Sequence, residues 1–237
     1  MDLTINIGTF NNYAGLSHLL HTMYKYAPHD YPILVFNNNP EDPEEVKRIA
    51  SDSPWENISV KQFEENNLLR NMALTLEATE TDFAALLHDD ITFVPDNKAI
   101  WDKLISIAGS PGVFSASPCT NEADGLEDVM SVDAPDRVCV HSIRACCTVF
   151  NTSLYNEVKG YNKDFAFSRV GGNGIDAYMN ACSIGGDDLN IRVYNAGYDH
   201  VIDRTCFVLH RGSEMTEEDF LRQSESHWND LIAVWGV

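Results

Sequence analysis

Basic residues are scarce in this sequence. It holds 16 lysines and arginines against 36 aspartates and glutamates, so its formal charge at pH 7 is −20. A surface this acidic repels the phosphates of nucleic acids unless a basic patch overrides it, and the sequence has no cluster of lysine or arginine. We therefore expect no nucleic-acid partner. The expected ligands are neutral molecules, or anions that a metal ion brings in, and most of the acids serve solubility alone.

Long apolar runs are also missing. A membrane span requires about 18 to 20 apolar residues in a row, and no stretch of the chain approaches that length. The opening MDLTINIGTF begins with an acid and continues as a strand, which is unlike a signal peptide. The 6 cysteines contain no CxxC pair and are expected to be reduced. These features predict a cytoplasmic protein without an integral membrane segment.

Hydrophobic patterning predicts the fold class. In the first half, strands are predicted at 3–10, 31–39, 58–63 and 82–88, with a helix in each interval. This βαβαβαβ order predicts an α/β protein whose mostly parallel sheet lies between layers of helices. Further elements are predicted in the second half: a helix at 97–108, an irregular loop at 120–137, a strand at 144–151, a short helix at 152–158, a helix that Gly197 stops, a strand at 206–210 and a last helix at 216–235.

Polar side chains follow three of the four predicted parallel strands. These side chains are Thr9, Asn11 and Asn12 after the first strand, Asn37, Asn38 and Asn39 after the second, and His88, Asp89 and Asp90 after the fourth. Each group alone is typical of a turn. The carboxyl ends of parallel strands share one edge of a sheet, however, and ligands bind there. Two adjacent aspartates at that edge predict a site for a hard divalent cation, Mg²⁺ or Mn²⁺.

Seven stretches, in this order, resemble motifs of the inverting glycosyltransferases of the GT-A fold, in the broad family 2 style. They are INIGTFNN, ILVFNNNPED, LLRNMAL, LLHDDITFVPD, VFNTSLYNEVKGYNKDF, GGDDLNIRVYNAGY and CFVLH. The fourth resembles the strand that carries the metal motif, the sixth the acidic catalytic stretch, and the seventh the strand whose histidine completes the metal site. The resemblance covers nearly the whole chain from residue 3 to residue 210.

The resemblance implies a fold and an activity. The fold would be a Rossmann-like GT-A three-layer sandwich in one continuous domain, with residues 1–95 binding the nucleotide sugar and residues 96–237 carrying the acceptor site and the catalytic groups. The activity would be that of a metal-dependent hexosyltransferase, which moves a sugar with inversion from a nucleoside diphosphate sugar to a hydroxyl group. The acceptor could be a glycan, a lipid-linked sugar or a protein.

The resemblance also implies roles for individual residues. Asp90 would ligate the metal directly and His210 would complete the coordination, while His88 or Asp89 would contact the metal, a metal-bound water or the ribose. The general base would be Asp188 or its neighbour Asp187. The remaining residues implied to line the nucleotide are Thr9, Asn11, Asn37, Asn38 and Arg70.

The chain departs from the pattern of the resembled family at three points. His88 stands where the family usually has an aspartate, and Asn37 stands where it has an aspartate that accepts a hydrogen bond from uracil. The acceptor loop is not recognisable, and the stretch 168–174 is either that loop or a set of plain turns.

Two alternative functions remain: a GT-A module that binds nucleotide sugars or glycans without turnover, and a nucleotidyltransferase. The latter would normally carry a basic glycine-rich loop after the first strand, and GTFNNYAG has no basic residue.

Overall fold

The structure, a computed structural model, describes residues 2–95, 97–121, 129–134, 137–140, 146–163 and 188–210. The predicted last helix, the candidate loop 168–174 and Asp187 lie outside these residues. Among the described residues, no helix is long and apolar enough to cross a membrane.

The first half of the chain alternates strands and helices as the hydrophobic pattern predicts. Each helix begins at an asparagine or aspartate whose side chain accepts a hydrogen bond from a backbone N–H of the first turn. The elements are β1 (Leu3–Thr9), α1 (Tyr13–Tyr26), β2 (Ile33–Asn37), α2 (Pro43–Asp52), β3 (Ile58–Gln62), α3 (Leu68–Glu77) and β4 (Phe83–His88).

The four strands of the first half form a parallel sheet in the order β3-β2-β1-β4. The register aligns Thr9 with Asn37 and Gly8 with His88. Because the strands run in the same direction, the carboxyl ends of β1, β2 and β4 meet at one edge. We call this edge of the sheet the carboxyl edge.

The second half extends the sheet with a mixture of directions. Its elements are β5 (Ile91–Phe93), α4 (Ile100–Ala108), β6 (Val113–Cys119), β7 (Val129–Ala134), β8 (Arg137–Val140), β9 (Cys147–Asn151), α5 (Thr152–Glu157), the helix α6 at residues 188–195, and β10 (Asp199–His210). The sheet continues as β4-β9-β6-β10-β8-β7, with β5 paired to β10 on one side. Since β9 is antiparallel to both β4 and β6, β6 and β10 run in the same direction as β4.

Two predictions for the second half are wrong. The stretch 120–137 was expected to be an irregular loop, but β7 lies within it and pairs with β8 as a hairpin. The last strand was expected to begin at residue 206, but β10 begins at Asp199 and pairs with both β6 and β8 along its first half. β7 is stabilised by its hairpin partner β8, which itself pairs with β10, and the start of β10 is stabilised by pairing with the distant strands β6 and β8.

Helices cover both faces of the sheet, so the predicted three-layer sandwich is confirmed. One buried cluster joins β1 to α1, α2 and α4 through residues such as Ile5, Leu19 and Leu104. A second cluster on the other face joins β2 and β4 to α3, α5 and α6 through Phe36, Leu69 and Val193. The five cysteines among the described residues form no disulfide, and four of them are buried.

Candidate functional site

Three side chains at the carboxyl edge converge. His88 ends β4, Asp90 lies in the turn between β4 and β5, and His210 ends β10. Each offers a ligand atom, and the three atoms lie within 4.8 Å of one another. Nε2 of His210 lies 3.1 Å from Oδ1 of Asp90, and the rings of His88 and His210 are 5.7 Å apart. The structure thus brings together the three residues that the sequence predicts as metal ligands.

The geometry of this group suits a metal ion. Two donors on adjacent corners of an octahedral ion with bonds of about 2.1 Å lie about 3 Å apart, close to the separation of His210 and Asp90. Oδ1 of Asp90 is buried, and it has no hydrogen-bond partner among the described residues despite its closeness to the imidazole. A buried carboxylate oxygen without a hydrogen bond is costly, and a cation between these atoms would remove that cost.

Asp89 lies beside this group and is oriented by the start of α1. The side-chain amide of Asn12 donates a hydrogen bond to Oδ1 of Asp89 at 3.1 Å, while its oxygen accepts from the backbone N–H of Gly15. Burial raises the pKa of Asp89 to about 6, although the donors of Thr9 and Asn12 act in the opposite direction. Asn12 therefore links the start of α1 to the acidic turn after β4.

Asn37 and Asn38, predicted to contact the nucleotide, are fully buried at the end of β2. The amide of Asn37 donates to Oε1 of Gln62 at 2.9 Å and to the backbone carbonyls of Asn39 and Asp42. Asn38 accepts a hydrogen bond from Asn71 at 2.7 Å. In this structure both side chains hold the loop after β2 in position.

The loop after β1 presents the exposed groups of this region. Thr9 is buried, whereas Phe10 is 38% exposed and Asn11 is also exposed. Asn11 has a φ of 59° and accepts hydrogen bonds from Asn39 and from the hydroxyl of Tyr13. A non-glycine residue in this conformation is uncommon and marks a constrained turn. Sequence reasoning overlooked Phe10, although an aromatic residue between a strand end and a polar loop is a signal for a stacking surface.

Arg70 lies on the first turn of α3. Its guanidinium is 3.5 Å from the carboxylate of Glu65, and about half of each side chain or more is exposed. The ion pair is exposed and weak, so the guanidinium can exchange Glu65 for another anion.

Asp188, one of the two candidate bases, begins α6 and pairs with Arg192 one turn later. Nε and Nη2 of Arg192 donate to Oδ2 of Asp188 at 3.1 and 2.6 Å. The same guanidinium donates to the backbone carbonyls of Val158 and Gly160, beyond α5. Both bonds to the carboxylate reach Oδ2, and among the described residues no donor contacts Oδ1. Arg192 thus orients Asp188 through Oδ2 alone. Asp187 lies outside the described residues.

Comparisons with known proteins were informative only at the level of structure. No family model and no curated protein matches this sequence. Among solved structures, the chain is similar to GalNAc-T7 with UDP, GalNAc and Mn²⁺, with a TM-score of 0.67 and 10% identity. It is also similar to the mannosyltransferase PcManGT from Pyrobaculum calidifontis in complex with GDP-Man and Mn²⁺, with a TM-score of 0.65 and 12% identity.

These similarities extend over nearly the whole chain. They cover 95% of it in the first case and 98% in the second. The chain spans 48% of the length of the first structure and 64% of the second. At such low identity, the similarity concerns the fold. The mostly parallel sheet between two helical layers, together with these matches, shows that this chain has the GT-A fold.

Proposed function

We propose that this protein is a metal-dependent glycosyltransferase, which transfers a sugar from a nucleoside diphosphate sugar to a hydroxyl acceptor with inversion. The observation that carries the proposal is the convergence of His88, Asp90 and His210 at the carboxyl edge of a GT-A sheet. Two structures with this fold, whose descriptions include a nucleotide or nucleotide sugar together with Mn²⁺, support it. The acceptor could be a glycan, a lipid-linked sugar or a protein.

His88, Asp90 and His210 would hold the cation. When bound, the cation would neutralise negative charge on the departing diphosphate. Two imidazole nitrogens and one carboxylate oxygen suit Mn²⁺ better than Mg²⁺, because Mg²⁺ prefers ligand sets made of oxygen. Mn²⁺ is therefore the proposed cofactor, with Mg²⁺ as the weaker alternative.

The nucleotide would lie along the loops that follow β1 and β2. In this proposal Thr9, Asn11 and Arg70 contact the nucleotide sugar, and Asp89 contacts the ribose or a water molecule. Because the side chains of Asn37 and Asn38 are buried and hydrogen-bonded within the chain, they would act on the nucleotide by shaping the loop. The exposed ring of Phe10 offers a face on which the base could stack.

Asp188 or Asp187 would take the proton from the acceptor hydroxyl. For Asp188, the bonds from Arg192 to Oδ2 support the role, since they fix the carboxylate and leave Oδ1 facing no donor among the described residues. Attack by the activated hydroxyl on the face opposite the diphosphate gives inversion at the anomeric carbon.

A panel of nucleotide sugars tests the proposed transfer. The release of nucleoside diphosphate is measured with Mn²⁺ and with Mg²⁺, for the wild type, for Asp90→Asn and for the control Asp102→Asn, which changes an exposed carboxylate on α4. We expect Asp90→Asn to lower the rate by at least about 100-fold, because the cation contributes several kcal/mol to such a reaction. Turnover that survives Asp90→Asn unchanged would refute the metal site.

The base is tested separately. Asp188→Asn and Asp187→Asn are compared for turnover and for donor binding, and the variant of the true base should lose turnover while its donor affinity stays near that of the wild type. Loss of binding in Asp188→Asn would remove Asp188 from this role. The anomeric configuration of the product, measured by NMR, tests inversion.

The alternative function is a GT-A module that binds a nucleotide sugar or glycan without turnover. Such a module would need the donor site at the carboxyl edge but would have no use for a general base such as Asp188. Donor binding with no release of nucleoside diphosphate, even in the presence of a broad set of acceptors, would support the module.

A further inference from the structure

The side chain of Asn121 forms a two-point contact with the backbone of His210. The backbone N–H of His210 donates to Oδ1 of Asn121 at 2.7 Å, and Nδ2 of Asn121 donates to the carbonyl of His210 at 3.1 Å. The amide therefore uses its donor and its acceptor on the same residue. Neither the sequence motifs nor the metal-ligand group includes Asn121.

At the end of the sheet, this contact takes the place of backbone pairing between β6 and β10. β6 and β10 pair in parallel, and their last aligned residues are Cys119 and Phe207. On its other side, the end of β10 pairs with β5, with His210 opposite Ile91. Beyond Cys119, the backbone of β6 no longer pairs with β10, and the side-chain amide of Asn121 supplies a donor and an acceptor as a peptide group would. Asn121 thus extends the pairing to the last residue of β10.

We propose that Asn121 is a positioning residue for His210, which fixes the direction of its imidazole towards Asp90 and His88. The inference rests on the proposed function, since it assumes that His210 is a metal ligand. β5 holds the end of β10 on one side, and the two-point contact of Asn121 holds it on the side of β6, which limits rotation and fraying of His210. Partners that orient a metal ligand through its side chain commonly contribute about 10- to 100-fold to metal affinity, and we expect this backbone contact to contribute at the lower end of that range.

The test measures Mn²⁺ binding by electron paramagnetic resonance. Asn121→Ala removes the contact, and Asn121→Leu removes it while keeping most of the side-chain volume. The matched control is Asn97→Ala, because Asn97 also donates a hydrogen bond to β10, at the carbonyl of Phe207 at 2.6 Å, and is not part of the metal group. Thermal unfolding of all variants identifies those that are merely less stable.

We expect both Asn121 variants to bind Mn²⁺ about 10-fold or more weakly than the wild type, and Asn97→Ala to bind as the wild type does. Wild-type affinity in Asn121→Leu would overturn the inference. An equal loss in Asn97→Ala would also overturn it, because the effect would then be general weakening of β10.

A measurement without metal separates this inference from the proposed function. In the metal-free protein, the ring resonances of His210 in a long-range ¹H–¹⁵N spectrum report the environment of its imidazole. They should shift in the Asn121 variants and stay unchanged in Asn97→Ala. If the wild type fails to bind Mn²⁺, the proposed metal site fails, while this spectrum still decides whether Asn121 orients His210. Unchanged resonances in both Asn121 variants would contradict the inference.

Discussion

His88 is the residue at which this site departs most from the resembled family, where an aspartate is usual. With His88, the group of converging side chains has two imidazoles and one carboxylate. Imidazole is a softer ligand than carboxylate, so the donor set should prefer transition metals to Mg²⁺. The identity of this one residue therefore bears on which metal supports activity.

Replacing His88 tests that argument. His88→Asp should raise the activity with Mg²⁺ relative to the activity with Mn²⁺, because it exchanges a nitrogen donor for an oxygen donor. The ratio of the two initial rates is measured, with His21→Asp, an exposed position on α1, as the control. A ratio that stays the same in His88→Asp would show that His88 does not ligate the metal.

His29 is a second histidine with an unusual environment. It lies before the start of β2, whereas the site lies where β2 ends. Its ring stacks on Trp55 at 4.4 Å and on Tyr31 at 5.6 Å, and Nδ1 accepts the backbone N–H of Tyr31. Burial lowers the pKa of His29 from 6.5 to about 4. The folded state therefore holds this imidazole neutral where the unfolded chain would protonate it.

This difference predicts that acid destabilises the fold. The free energy of unfolding should have its full value above about pH 6.5. As the pH falls towards 4, the protonation of His29 should lower it by a total of about 3 kcal/mol. The free energy of unfolding in urea is measured at pH 7.5, 5.5 and 4.5 for the wild type and for His29→Phe, which keeps a stacking ring. The variant should lose less stability on acidification, and parallel losses in both proteins would contradict the prediction. His21→Gln is the control.

At the scale of elements, the residues that cap the helices contribute to the stability of the fold. This contribution can be measured separately from any effect on the candidate site. Asn12 caps α1 and Asn151 caps α5, each by accepting a hydrogen bond from a backbone N–H three residues later. Only Asn12 also donates to Asp89. Asn151 instead donates to the backbone carbonyl of Ala108 at 3.3 Å, so only one cap of the pair contacts the acidic turn.

Asn12→Ala and Asn151→Ala should each lower the free energy of unfolding by about 1 kcal/mol, the usual contribution of such a cap. Only Asn12→Ala should also reduce donor turnover, since it removes one of the hydrogen bonds that hold the carboxylate of Asp89. Urea unfolding and the rate of nucleoside diphosphate release are measured on both variants. Equal turnover in the two would mean that the bond from Asn12 to Asp89 has no role in the site.

The elements that the sequence predicts well are those that carry their own signals. β1, β2 and β4 are apolar runs bounded by polar turn residues, and α2 begins with Asp42, Pro43 and two glutamates. The sequence pattern predicts none of β5, β6, β7 and β8, and it places the start of β10 too late. His200, in the missed first half of β10, is buried and lies 2.7 Å from the hydroxyl of Ser115 on β6. Such contacts join residues far apart in the chain, so no local pattern indicates them.

The same distinction applies to the candidate site. The motif at the end of β4 and the histidine at the end of β10 predict a metal group, and the three side chains do converge. The buried roles of Asn37 and Asn38, by contrast, depend on Gln62 and Asn71, which come from β3 and α3. The partners of an asparagine cannot be read from its neighbours in sequence. Asn121 was overlooked for the same reason.

At the scale of the whole molecule, the net charge of −20 is the dominant electrostatic property. A nucleoside diphosphate sugar is itself an anion, and this surface opposes its approach. A divalent cation held by the proposed metal group would reverse that repulsion locally. The charge of the chain and the group of His88, Asp90 and His210 are therefore consistent parts of one account, in which metal binding precedes or accompanies donor binding.

The binding of UDP and GDP by calorimetry, with Mn²⁺ and with EDTA, tests this account most directly. If the cation carries the donor, the wild type should bind at least one of the two nucleotides when Mn²⁺ is present and neither in EDTA, and Asp90→Asn should bind neither nucleotide in either condition. Equal nucleotide affinity with Mn²⁺ and with EDTA, or binding that survives Asp90→Asn, would contradict it.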